Sequence, residues 1–240
     1  MTAVRTSLTL VCLAVAPLVS GGAAHADDPV LKPGRDPGGT AIAILADGFD
    51  YTNPELAKVL ARDGEGEAIA WDAVDQDHRP YEKEGKGTAA AIAAAAKSNV
   101  RIVQVRVNPN DTTSLARGIA FAVQTPATII LALLPASDAS GRGVLVAAAQ
   151  KFETTLFIGS PPALTPGDEV PTNGLENLLL IEAGMDGLAA VEALATVLGC
   201  GEHVIERKST AELKRAILDG RKETLASACK PKGAGETQKP

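Results

Sequence analysis

The chain has 240 residues, 45% hydrophobic and 22% charged, with a formal net charge of −6 at pH 7. That balance excludes a disordered or fibrous chain, and an acidic chain without a basic stripe is a poor partner for nucleic acid. Only 3% is aromatic, with one Trp, two Tyr and four Phe, so the core must be built from Ala, Val, Leu and Ile.

The first segment reads as a secretory signal peptide. Arg5 supplies a positive start, Leu8 to Val19 is apolar, and Ala24-His25-Ala26 before Asp27-Asp28 has the small-x-small cleavage pattern. The expectation is a signal peptide over 1–26, cut after Ala26, and a secreted or periplasmic protein. The apolar run is about half the roughly 20 residues of a spanning helix. The later run Ala127 to Leu134 is shorter still, so no membrane association is expected after cleavage. Val11 stands before Cys12 where lipidation wants a small residue. Cys200 and Cys229 then remain; export is compatible with a disulfide between them, but a sequence does not show whether their Cα atoms come within about 7 Å.

A Pro/Gly-rich leader over 27–39 precedes alternating short apolar runs and helical segments. Ala41 to Leu45 reads as a buried strand, and Pro54 to Arg62 as a helix capped by Asn53 with Pro54 in its first turn. Ala68 to Trp71 is a second strand. Gly87 to Lys97 is an Ala-rich helix suited to close packing. Arg101 to Val107 is a strand, and Ser114 to Gln124 a helix with Leu115, Ile119 and Val123 near one face. Thr128 to Leu134 is a strand without alternation, as expected when both faces are covered. Gly143 to Phe152 reads as a helix, Thr155 to Gly159 as a strand, Ser160 to Gly174 as a Pro-rich loop and Leu178 to Ile181 as a strand. The helices Gly187 to Leu198 and Thr210 to Leu218 follow, then a frayed tail over 230–240. This alternation predicts an α/β domain over 40–229: a doubly wound, mostly parallel sheet in three α/β/α layers with right-handed crossovers.

Three stretches in order resemble the subtilisin-like serine peptidases. Ile42 to Leu56 follows that family's strand, D-[ST]-G and H-P-[DE]-L pattern, with Gly48, Asp50, Pro54, Glu55 and Leu56 in register. Trp71-Asp72-Ala73-Val74-Asp75-Gln76-Asp77 to Pro80, then Gly85-Lys86-Gly87-Thr88-Ala89, is similar to aromatic-D-x-V-D-x-D-x-x-P preceding G-H-G-T-H. Thr210 to Leu218 looks like the family's closing helix. The resemblance implies a truncated subtilisin-like fold and a serine-peptidase position for each catalytic group.

The residues at those positions differ from what the chemistry needs. Peptide hydrolysis by a triad uses a hydroxyl nucleophile, an imidazole base, an orienting carboxylate and oxyanion donors. Ala46 takes the carboxylate place, with Asp47 one residue late. Lys86 takes the base place, and a lysine amine serves as a base only when desolvation removes its proton. The nucleophile segment is Gly184-Met185-Asp186-Gly187, where Met185 and Asp186 stand in place of serine. For the strand leading to the oxyanion Asn, Val144 to Ala149 leaves too short a crossover, so Leu156 to Gly159 is preferred, followed by Ser160 rather than an amide. Losing several members of a unit leaves little acceleration. The resemblance thus implies an inactive family member that acts, if at all, by binding a peptide or protein partner along the old cleft. The alternative is a divergent hydrolase with Ser160 or Thr165 as nucleophile and Lys86 as an unprotonated base.

Asp47, Asp50, Lys86 and Ser160 are the candidates for a vestigial site, Asp47, Asp50 and Lys86 either as a pocket for a charged peptide end or as a salt bridge filling the abandoned centre. Asp72, Asp75 and Asp77 lack the Gly and Glu of a calcium loop and read as a solvated acidic turn. His78 and His203 have no ligand partner at metal spacing, so neither a metal nor a cofactor is expected. Trp71 reads as a core plug. Oligomeric state is not legible.

Overall fold

The apolar run at the start of the domain forms the central strand of the sheet. In the computed structural model, which describes residues 28–96, 99–133, 139–159, 174–180, 210, 211 and 214, β1 (Thr40–Ala46) buries six consecutive residues. It is followed by α1 (Pro54–Ala57), β2 (Ala70–Asp72), α2 (Lys86–Ala95), β3 (Val100–Arg106) and α3 (Thr112–Ala122). Next come β4 (Ile129–Ala132), α4 (Ala139–Lys151), β5 (Leu156–Gly159) and β6 (Leu178–Leu180). The six strands lie in the order β2-β3-β1-β4-β5-β6, and every neighbouring pair is parallel. The fold is α/β, with helices on both faces of the sheet.

Alternation along the strands divides the core in two. Ile42, Ile44, Ile102, Leu131 and Ile158 face α1 and α2, meeting Leu56, Ala90, Ala91 and Ala94. Ala43, Leu45, Val103, Val105 and Phe157 face α3 and α4, meeting Leu115, Ile119, Leu145 and Ala149. The contact residues on α2 are alanines, so its backbone sits close to the sheet at little cost in side-chain entropy. Gly118 does the same for α3: a Cβ there would stand 2.6 Å from Val107 Cγ1.

The paths between strands correct the expectation of uniformly right-handed crossovers. The steps β2 to β3, β3 to β4 and β4 to β5 all advance in the same direction across the sheet. The first runs over the α2 face and the other two over the opposite face, so β2–α2–β3 has the opposite hand to its two successors. The β1 to β2 step runs backwards on the α1 face and shares the hand of the majority. Because right-handed connections make up about 98% of such units, β2–α2–β3 is the left-handed one. Before α2 begins, the segment after β2 is tied to Phe49 beyond the carboxyl end of β1.

Helix α1 stops at Ala57, earlier than its sequence predicts. The Ala61 N–H donates to the Ile102 carbonyl at 2.8 Å, and the Ile102 N–H donates to the Val59 carbonyl at 2.8 Å. The buried pair Leu60-Ala61 gains more as an extension beside β3 than as another helical turn. The competing register for the later strand resolves likewise: Val144 to Ala149 lies within α4, and Leu156–Gly159 is β5. Asn177, buried before β6, donates its side-chain amide to the carbonyls of Ala149 at 2.9 Å and Phe152 at 3.0 Å, closing the end of α4. In the third family-like stretch, Lys214 donates to the Leu175 carbonyl at 2.8 Å.

The leader residues 28–39 lie along the domain. Burial would push the Asp36 carboxyl up, but the N–H groups of Arg62 and Gly38 and the Arg101 guanidinium outweigh it and hold the group below its ordinary value. Tyr51, 3% exposed, donates its hydroxyl to the Pro29 carbonyl at 2.8 Å. Burial, with Asp28 nearby, raises the phenol to about 12. A raised folded-state value favours folding below the unfolded value near 10 and loses that support as pH climbs through the folded one. In a Tyr81→Phe variant the remaining tyrosinate absorbance should rise near pH 12, with stability falling by roughly 2 kcal/mol across that window. A midpoint at 10 would remove this anchor from the account.

Candidate functional site

Two of the family-like stretches meet at the carboxyl end of β1, where open α/β sheets place their ligands. The Asp47 carboxylate accepts the Lys86 N–H at 2.7 Å, so an acidic side chain stabilises the first turn of α2. The Gly87 N–H donates to the Gly48 carbonyl at 3.2 Å, and the Asp50 N–H donates to Thr88 Oγ1 at 2.7 Å. Phe49 pairs with the Pro80–Glu82 segment through N–H to Pro80 carbonyl, 3.0 Å, and Glu82 N–H to Phe49 carbonyl, 3.1 Å.

Glycine is required at this joint. Gly48 has φ +146°, and a Cβ on it would overlap Glu82 Cβ. A Cβ on Gly85 would overlap the Gly48 carbonyl, and one on Gly87 would overlap the Phe49 ring. The glycines of the two motifs are therefore each other's packing partners: they let the β1 end and the α2 start touch backbone to backbone.

Beside the joint, Arg106 at the end of β3 gathers the acidic residues. Its Nη1 donates to Asp72 at 2.9 Å and Asp75 at 2.8 Å, its Nε to the Asp47 carbonyl at 3.3 Å, and Glu82 lies 4.0 Å from Nη2. Asp72 is fully buried and also accepts the N–H groups of Val74 and Asp75 at 2.8 and 2.9 Å. Burial pushes its carboxyl up; the N–H donors and Arg106 offset this only in part. Burial draws the Arg106 guanidinium down, but its carboxylate partners outweigh that and raise it. The expected solvated acidic turn is thus corrected: Asp72 is a buried anchor, because Arg106 reaches it from the neighbouring strand.

Ala46, which the sequence resemblance assigns to the carboxylate place, is fully buried and has no polar side-chain atom. Lys86 is exposed, and Asp47 engages its backbone N–H while no described carboxylate pairs with its amine. Asp50 turns to Thr52, whose N–H donates to it at 3.0 Å and whose hydroxyl also contacts it. Asp47, Asp50 and Lys86 thus come to one edge without forming an ion pair. His78 lies away from this edge against Trp71, with its Nδ1 3.0 Å from the Ala70 carbonyl. Trp71 is half-buried and stacks on Phe121. Ser160, Thr165, Met185, Asp186, Cys200, His203 and Cys229, the helix Gly187 to Leu198, the segments 1–26 and 230–240 and most of the Pro-rich loop lie outside the described residues. Among the described residues no group of three or more His, Cys, Asp or Glu side chains is arranged to hold a metal ion, and no helix is long and apolar enough to cross a membrane.

Sequence reasoning missed Arg106. Its signal was a charged residue closing the apolar strand Val100–Arg106, two strands being needed to bring it to the Trp71-Asp72 turn. Comparison with protein-family models gives no match, and no curated protein matches. Among solved structures, a chain described as PatG macrocyclase in complex with peptide is 14% identical at a TM-score of 0.42, over 74% of this chain and 81% of that chain.

Proposed function

We propose that this is an exported, subtilisin-like domain that has lost its proton-transfer chemistry and binds a peptide or protein partner along the edge where that chemistry would stand. The observation that carries the reading is the joint between the motif stretches. Residues 39 apart meet at the carboxyl end of β1, and the positions that the resemblance assigns to the orienting carboxylate and the base hold a buried methyl group and an exposed lysine. Lys86 is exposed and Ala46 offers no acceptor atom, so the geometry favours binding over hydrolysis. The carboxyl edge of a parallel sheet is also where an extended ligand finds an open crevice.

Two measurements on the full chain test this. Fluorescent casein should be cleaved no faster than in a blank, and the immobilised protein should retain a sequence-related subset of a randomised peptide library. Casein turnover, or retention of no subset above a control column, would overturn the respective half of the reading.

A further inference from the structure

On the α1/α2 side of the sheet, Pro29, Val30 and Leu31 of the leader border a cavity of about 410 Å³. It adjoins the joint through Pro80, which lies on its wall and whose carbonyl accepts the Phe49 N–H. Three apolar wall residues keep surface open to an occupant: Leu31 and Ala68 are half-buried, and Val30 is 76% exposed. The polar part of the wall consists mostly of acceptors. Asp63 and Glu67 line the cavity, and both are exposed. Asp63 Oδ1 accepts the N–H groups of Glu65 and Glu67, both at 2.9 Å, which holds Asp63 and Glu67 together. Neither carboxylate has a cationic partner among the described residues. His78, also on the wall, has its Nδ1 3.0 Å from the Ala70 carbonyl. A carbonyl only accepts, so Nδ1 carries the proton and the neutral ring keeps Nε2 as an acceptor. Arg79 is the single cation among the described lining residues, and Asp28 and Asp77 act with it on the Tyr51 phenol, offsetting its charge.

We propose that this cavity binds a small organic cation, a primary ammonium on a compact apolar body, with the ammonium donating to Asp63 and Glu67 and the body covering Val30, Leu31 and Ala68. An ammonium has three donors and no acceptor, the complement of two unpaired carboxylates. Its bonds to them are charge-assisted and roughly twice as strong as neutral ones. A carboxylic acid would meet two like charges instead, and a neutral molecule would leave both carboxylates without a counter-charge. The apolar body adds a second gain: it removes from water Val30, the most exposed large hydrophobic side chain among the described residues. The volume falls within the range of small-molecule pockets. This inference does not rest on the peptide-binding reading of the joint: an absence of peptide retention leaves it standing, and its own failure leaves that reading untouched.

Benzylamine, protonated at pH 7, benzyl alcohol and sodium benzoate are matched probes for an NMR titration of the full chain. Benzylammonium should bind about tenfold more tightly than benzyl alcohol, with benzoate weakest, and should shift the Val30 and Leu31 methyl resonances. Asp63→Asn with Glu67→Gln removes both charges and keeps an acceptor oxygen at position 63 for the two N–H groups, so the preference should vanish. Equal binding of benzyl alcohol, no benzylammonium binding at millimolar concentration, unmoved Val30 and Leu31 methyl groups, or a preference that survives the double variant would overturn the proposal. Should the double variant fail to fold, Glu67→Gln alone, which changes an exposed side chain with no described bond, should weaken benzylammonium about threefold. An unchanged affinity there would overturn the proposal equally.

Discussion

Replacing Arg106 with Met should cost about 3–5 kcal/mol of stability, because it leaves Asp72 as a buried charge without its cation. The Asp72 side chain is 0% exposed and that of Arg106 20%. Asp72 is held by two N–H donors that the substitution spares, so the loss reflects the missing guanidinium. Adding Asp72→Asn should restore most of the stability, since the neutral amide keeps an acceptor oxygen for Val74 and Asp75. The pH dependence distinguishes this from a packing defect. Without Arg106, burial raises the Asp72 carboxyl still further; a raised folded-state value makes the variant most stable in acid and weakens it as pH rises through that value. Urea unfolding at pH 5 and pH 8 reads both effects. A loss below about 1 kcal/mol, with no recovery in the double variant, would mean that the cluster is not what anchors the turn after β2.

The second large effect is expected at the glycine joint. Gly48→Ala places a side chain on a residue at φ +146° and against Glu82; strain and overlap together should cost about 3 kcal/mol or more. Gly85→Ala pushes on the Gly48 carbonyl and should cost a similar amount. Lys86→Ala, immediately adjacent, removes an exposed side chain and leaves the backbone bond to Asp47 in place, so it should stay within about 0.5 kcal/mol. Thermal unfolding of the three variants measures the contrast. If Lys86→Ala proved as damaging as the glycine changes, the lysine would hold a structural role that its exposure does not reveal.

The contrast also explains which features were legible in the sequence. Strands such as Ala41 to Leu45 and Thr128 to Leu134 announce themselves because a strand covered on both faces must be continuously apolar. The paired motif glycines were visible as spacing, although their mutual contact is a property of the fold. Three features were hidden for one reason: each depends on parts of the chain that only the fold brings together. Helix α1 ends early because β3 offers hydrogen bonds to Val59 and Ala61. Asp72 is buried because Arg106 arrives from β3. The left-handed β2–α2–β3 connection follows from the strand order and from the face that α2 takes, and neither is a local property. Periodicity reports which face a residue turns to the core, and none of these depends on that.

On the proposed function, the motif framework persists while the groups that would transfer a proton are gone. Its most direct test is incubation of the full chain with an excess of a fluorophosphonate probe, read by intact-protein mass spectrometry with active subtilisin alongside. No mass increase is expected on this chain under conditions that label the control completely. A stoichiometric adduct on one serine or threonine, lost when Lys86 is changed to Met, would contradict it and establish a working nucleophile with lysine as its base.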